Sequence, residues 1–327
     1  MSIWRRWVRL WDGVELPWSM AMVRLLLGVA MLFDFLSMVP TGLVDVVMVS
    51  EDHGGVIKGG EWSAPPLWWQ LFGNDAASAW GLFTALVVSS FLLTVGCLTR
   101  TSAAVLMLLS AQFAWMHGQG DRGIDTLMRN VLMILAFSRA GHAFSVDAWW
   151  RTGSFVGDGE PIPRWPRRLL LLQLVAMYFA AGVSKYAQHW WPWGSYTALW
   201  YIWHDWPVSA VAGQRWLESS VALRFSQLAT FVSITWELTF PAILWMWAAW
   251  RRGRPAWVRR VRPDLIYVFL GATFHLGIAI WLQLGIFPWA MLALYPAFLS
   301  GREWARIWDA IRSRNLRRVL EAVQIGP

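Results

Sequence analysis

The stretch Leu169-Leu-Leu-Leu-Gln-Leu-Val-Ala-Met-Tyr-Phe-Ala-Ala-Gly-Val-Ser-Lys185 decides the class of this chain. Only Gln173 and the Tyr178 hydroxyl interrupt its apolar run before Ser184 and Lys185. Tyr186-Ala-Gln-His-Trp-Trp-Pro-Trp193 follows at once. An apolar helix that ends in a cation and a group of indoles reads as a membrane span with an interfacial end. Lys185 is one of two lysines, the other being Lys58; all other cationic side chains of fixed charge are arginines. Two readings of Lys185 stand side by side. As an anchor, its ammonium snorkels to lipid headgroups. As a partly desolvated amine, it can act as a base.

Composition widens the membrane reading to the whole chain. Of 327 residues, 57% are hydrophobic, 28 are Trp and only 15% are charged. A soluble domain carries about a quarter charged residues. The net charge of +8 comes from arginines between apolar runs, with no basic-aromatic groove pattern, so nucleic acid is not the partner. The single cysteine, Cys97, excludes an internal disulfide and a thiol metal cluster. The basic, Trp-rich start, Met1-Ser-Ile-Trp-Arg-Arg-Trp-Val-Arg-Leu10, reads as an amphipathic lead-in and not a signal peptide.

Hydropathy predicts an all-α polytopic membrane protein of about eight transmembrane helices. They cover 17–39, 76–98, 102–116, 124–137, 169–185, 225–250, 265–284 and 289–299. Two further pieces, the Trp-rich stretch from Glu61 and a helix over 196–204, read as interfacial or re-entrant. Residues 1–300 form one transmembrane domain, and 301–327 form a basic amphipathic tail for an anionic membrane surface. With a cytoplasmic N-terminus, nearly all arginines fall inside, so both termini are expected in the cytoplasm. The membrane is taken as the bacterial inner membrane, with lipid as a partner.

Ionisable groups inside a bilayer need a partner or a task. Arg24 reads as a headgroup anchor, and Asp34 is open to pairing with a cation of another span. Glu237 and His275 sit at similar depth on neighbouring spans. The turn Gly118-Gln-Gly-Asp-Arg-Gly123 packs glycines around Asp121, so its backbone can approach a ligand; it serves equally as a tight turn. Arg129 lies one turn after Asp125, a spacing for an internal pair. The topology puts Asp121, Lys185 and His189 on the outer side, above Glu237 and His275. No metal-ligand spacing, nucleophile elbow or phosphate loop is present, so no metal is predicted.

Three stretches resemble a known family. Tyr178-Phe-Ala-Ala-Gly-Val-Ser-Lys185 is similar to its Tyr-Phe-x-x-Gly-x-x-Lys. Phe274-His-Leu, with Gly285-Ile-Phe287 and Met291-Leu292, is similar to its His-Leu, Ile-Gly-x-Phe and Met-Leu. Gly120-Asp-Arg-Gly-Ile-Asp125, with Ser145-Val-Asp147, resembles its post-turn helix ending in Ser-x-Asp. Across about residues 17–300 the chain resembles the HTTM (horizontally transferred transmembrane) domain, the membrane part of vitamin K-dependent gamma-carboxylases and of bacterial relatives.

The resemblance implies a reaction and roles. A lysine, here Lys185, deprotonates vitamin K hydroquinone or a menaquinol. Oxygen then takes the quinol to an epoxide, and carbon dioxide adds to a glutamate of a secreted peptide. His275 is carried as the second catalytic residue, and Asp121, Glu237, Tyr178 and Trp190 as substrate-binding residues. The sequence departs from the family where animal enzymes carry a histidine at the start of the fourth span; Asp121 and Asp125 stand in that region. It also lacks their lumenal domain, so a partner subunit is expected to present the peptide. The rivals are a non-catalytic maturation or assembly factor for a secreted protein, and a lipid or solute transporter.

Overall fold

A computed structural model describes residues 3–58, 65–116, 121–252 and 256–311. The readings made on residues 61–64, 118–120, 253–255 and 312–327 lie outside these. In chain order the helices are α1 (Ile3–Trp11), α2 (Trp18–Leu36), α3 (Leu43–Val47), α4 (Leu67–Phe72), α5 (Ala76–Val95), α6 (Thr99–Met116), α7 (Gly123–Phe137) and α8 (Val146–Thr152). Then come α9 (Trp165–Val183), α10 (Ala198–His204), α11 (Ser220–Thr239), α12 (Ala242–Arg252), α13 (Ala256–Val261), α14 (Pro263–Trp281) and α15 (Phe287–Leu294). Two two-residue strands, β1 (Val14–Glu15) and β2 (Ile162–Pro163), pair antiparallel. The protein is nearly all-α.

Among the described residues four helices, α2, α5, α9 and α14, are long and apolar enough to cross a membrane, or five if the bent pair α11–α12 is one span. The other expected spans are helical too, but α7 has 15 residues and α15 only 8. α6 is long enough but carries Arg100, Ser102, Ser110 and Gln112. The expected continuous span over 225–250 is broken. α11 and α12 meet at a bend of 61°, at Phe240 and Pro241. Pro241 has no N–H to give the preceding turn, and its ring clashes there, so α11 stops and α12 starts afresh.

The chain divides into two compact units, Met1–Leu170 with Pro296–Pro327, and Leu171–Tyr295. In the first, α2 packs on α5 and α7, α5 on α6, and α6 on α7. Arg24 is completely buried there, not at a headgroup. Its guanidinium donates to the carbonyls of Leu93 (2.8 Å), Thr94 (2.8 Å) and Phe144 (2.5 Å). Leu93 and Thr94 lie in the last turn of α5, whose carbonyls have no intrahelical donor. Arg24 therefore ties the end of α5 to the loop before α8.

The Ser145–Asp147 segment makes a second tie. Ser145 Oγ caps α8 by accepting from Ala148 N at 2.9 Å. The Asp147 carboxylate accepts from the backbone N–H groups of Leu98 and Thr99, at 2.7 and 2.8 Å, which open α6. Residues 301–311, the described part of the expected tail, are helical and belong to this unit, with Trp308 against Trp18 and Phe144.

In the second unit α11 packs on α10, and α14 on α12 and α15. Trp203, Trp216, Phe225 and Trp281 form one aromatic cluster there. The expected short helix over 196–204 is α10.

Candidate functional site

The second unit begins at Leu171 and so carries the motif part of helix α9. Its apolar run makes a helix and its end is marked by Gly182. A Cβ at Gly182 would stand 3.1 Å from Glu237 Cβ and from the Leu238 side chain. Glycine here lets α9 and α11 approach closely. The helix ends at Val183, and Lys185 lies just beyond, in the turn.

Lys185 turns back over the helix end. Its Nζ donates to Ala181 O at 3.2 Å and to Glu237 Oε2, with which it forms an ion pair. Glu237 is in the last turn of α11. The ammonium thus meets the negative end of the α9 dipole and a carboxylate. The Trp190 ring lies 4.9 Å from Nζ, within cation–π range. Trp191 Nε1 donates to Lys185 O at 2.9 Å and stacks on Trp193 at 5.5 Å, so the indole loop is pinned to the lysine backbone. The Lys185 side chain is 18% exposed and that of Glu237 7%. The pair is therefore largely enclosed but still open on the lysine side.

A second polar group lies in the same unit. The Tyr178 hydroxyl is 2.7 Å from His275 Nε2 and 3.1 Å from the Tyr295 hydroxyl. Trp236 and Phe240 pack on the Tyr178 ring at 4.6 and 4.5 Å. Gly271 makes room, since a Cβ there would stand 2.2 Å from the Tyr295 hydroxyl and 2.4 Å from Trp236. His275 is fully buried, and its Nδ1 has no hydrogen-bond partner.

These contacts sort the sequence-predicted residues. Lys185, Glu237 and Trp190 come together. Tyr178 and His275 come together as a hydroxyl–imidazole bond. Glu237 bonds to Lys185, while His275 bonds to Tyr178. Asp121 belongs to the first unit, where it forms a two-pronged pair with Arg129 at 2.9 and 2.7 Å. That replaces the expected Asp125–Arg129 pair. Asp125 is held instead by Arg122, through its guanidinium and its backbone N–H, both at 2.9 Å. At the third position of α7 a carboxylate reaches back to the helix start more readily than forward to Arg129. Half-buried Asp34 lies within the electrostatic reach of Arg122 and Asp125. His189, outside both groups, bonds to Thr197 Oγ1 at 3.0 Å. Tyr295 went unnoticed in the sequence; a hydroxyl inside an apolar run that must find a partner was the available signal.

The HTTM domain family model matches residues 15–304. The chain belongs to the HTTM domain family. No curated protein and no solved structure matches it. Within this HTTM domain the motif stretches divide by task. Ser145 and Asp147 are capping residues of the first unit. In the second unit Gly182 and Lys185 meet Glu237 at the ends of α9 and α11, and Tyr178 of α9 meets His275 of α14.

Proposed function

We propose that this HTTM protein is a membrane enzyme in which Lys185 takes a proton from the hydroxyl of an apolar ring substrate, a reduced quinone such as vitamin K hydroquinone or menaquinol. The observation that carries it is one enclosed, still accessible amine against an indole face, with a carboxylate at its back. The residues suit such a ring. Trp190, Trp191 and Trp193 offer flat apolar surface, and Lys185 with Glu237 offers a donor and an acceptor for a hydroxyl. The quinol, when bound, supplies the reducing equivalents with which oxygen is activated. Lys185 Nζ would hold the substrate proton, Glu237 orient the amine, and Trp190 exclude water. Tyr178, His275 and Tyr295 would brace α9 from within, so His275 supports the site rather than touching substrate.

The finer parts of the reading follow from the family and from the distribution of arginine. They are coupling to carbon dioxide addition, or another modification, on a secreted peptide shown by a partner subunit. They also include about eight spans in a bacterial inner membrane with both termini cytoplasmic, and a ligand-facing role for Asp121. A second reading, a maturation factor without catalysis, is favoured by the completeness of the Lys185 ion pair.

One assay separates them. Purified protein is incubated with reduced menaquinone or vitamin K and oxygen, with and without bicarbonate and peptide, and epoxide is measured. Wild type is expected to form epoxide, and Lys185→Ala to form it about 10²–10⁴-fold more slowly. No epoxide from wild type under any condition overturns the enzyme reading.

A further inference from the structure

Three groups meet Lys185 Nζ. Ala181 O accepts at 3.2 Å from the end of α9, and Glu237 Oε2 accepts from the last turn of α11. The Trp190 ring presents its face at 4.9 Å. A carbonyl at the C-terminal end of α9, a carboxylate and a ring quadrupole can each stabilise an ammonium. A base, however, must be an amine. The site that holds Lys185 so well also withholds it.

The histidines of this unit and the tyrosines around His275 are bonded to other groups. Tyr178 is bonded to His275 and Tyr295, His189 to Thr197, and His204 to Trp200 O. Among the described residues, Glu237 is the one side chain that accepts a hydrogen bond from Lys185 Nζ and can take its proton. We propose that Glu237 is the proton acceptor of Lys185: the pair rests as ammonium and carboxylate, and the amine appears only when the proton crosses to Glu237. In that step one N–H bond of Nζ breaks and one O–H bond at Oε2 forms. The pair is neutral overall before and after. An apolar ring that covers the open side of Lys185 removes its remaining water, which costs the charged pair more than the neutral one. Arrival of the substrate would then itself produce the base. Glu237 is thus a positioning residue that acts through Lys185, and the inference rests on the reading of Lys185 as the working amine.

The test reads the amine and not turnover. The chain has two lysines, and Lys58 is exposed, so it serves as an internal reference. Full-length protein in detergent micelles is treated at pH 8 with a limiting amine-acylating reagent. The ratio of Lys185 to Lys58 labelling is read by mass spectrometry. Wild type is expected to label Lys185 at least about ten-fold more slowly than Lys58, and Glu237→Gln, which keeps shape and hydrogen bonding but removes charge, to raise the ratio at least about ten-fold. Should the glutamine variant not fold, Glu237→Leu is expected to give the same rise. An unchanged ratio in the folded variant, or wild-type Lys185 labelling as fast as Lys58, overturns the inference. A protein that forms no epoxide can still pass this test, and one that does can fail it.

Discussion

Each unit holds an enclosed cation near a helix end, Arg24 in the first and Lys185 in the second, and these two are held in opposite ways. Arg24 is completely buried, and its guanidinium goes to backbone carbonyls of the α5 end and of the loop before α8. Those acceptors belong to the main chain and cannot move or titrate. Lys185 has one carbonyl, one carboxylate and one indole, and keeps a side open. A fork of five donors suits fixed carbonyls, whereas a compact ammonium suits a partner that can take its proton. Inside a membrane protein, a charged scaffold residue and a charged site residue therefore differ in what faces them. The deciding feature is whether the counter-group can change state.

Substitutions can break or sharpen that contrast. Arg24→Met removes the donor of the Leu93, Thr94 and Phe144 carbonyls, of which Leu93 keeps the Gly96 N–H, and is expected to cost at least about 2 kcal/mol, read as a large fall in the thermal midpoint of the detergent-purified protein. Lys185→Met should leave the midpoint much closer to wild type, because Glu237 can become neutral by taking a proton. Equal falls for the two would erase the distinction. His275→Phe removes a buried partner of Tyr178 and is expected to cost about 1–2 kcal/mol in the same measurement. Gly182→Ala pushes on Glu237 and Leu238, with about 1 kcal/mol lost in stability but a clear rise in Lys185 labelling as the pair is prised apart.

The smallest effect is expected at the surface. The Arg151 guanidinium, bonded to Asp158 at 2.8 and 3.0 Å, holds that carboxyl well below the usual carboxylate range. Whatever this pair contributes is present at neutral pH and fades as the pH falls through the carboxylate range. Because the pair is exposed, Arg151→Ala should leave the midpoint unchanged, measured at pH 7 and again at pH 4.

The helical, membrane-type class was legible because apolarity is written locally, residue by residue. Partnerships were not. Lys185 and Glu237 are 52 residues apart, and Tyr178 is 97 and 117 residues from His275 and Tyr295. The sequence suggests an anchor at Arg24, because an arginine near the end of a span looks the same whether it points to lipid or into the protein. Pro241 was visible, yet whether it kinks a helix or ends one depends on the neighbours that accept the freed carbonyls. The motif around Lys185 marked the right place, and the identity of its acid partner needed the fold.

The bonds from Asp147 have a consequence for how the chain is made. The N–H groups of Leu98 and Thr99 open α6, yet the carboxylate that receives them is encoded 49 and 48 residues later. A ribosome delivers the α5–α6 turn well before it delivers its cap. Until Asp147 emerges, that hairpin stands with its first donors served only by water, and the start of α6 is provisional. Synthesis through residue 147 is therefore a natural checkpoint for assembly of the first unit, and a chain arrested just short of it would carry every helix of that hairpin without the lock that fastens it.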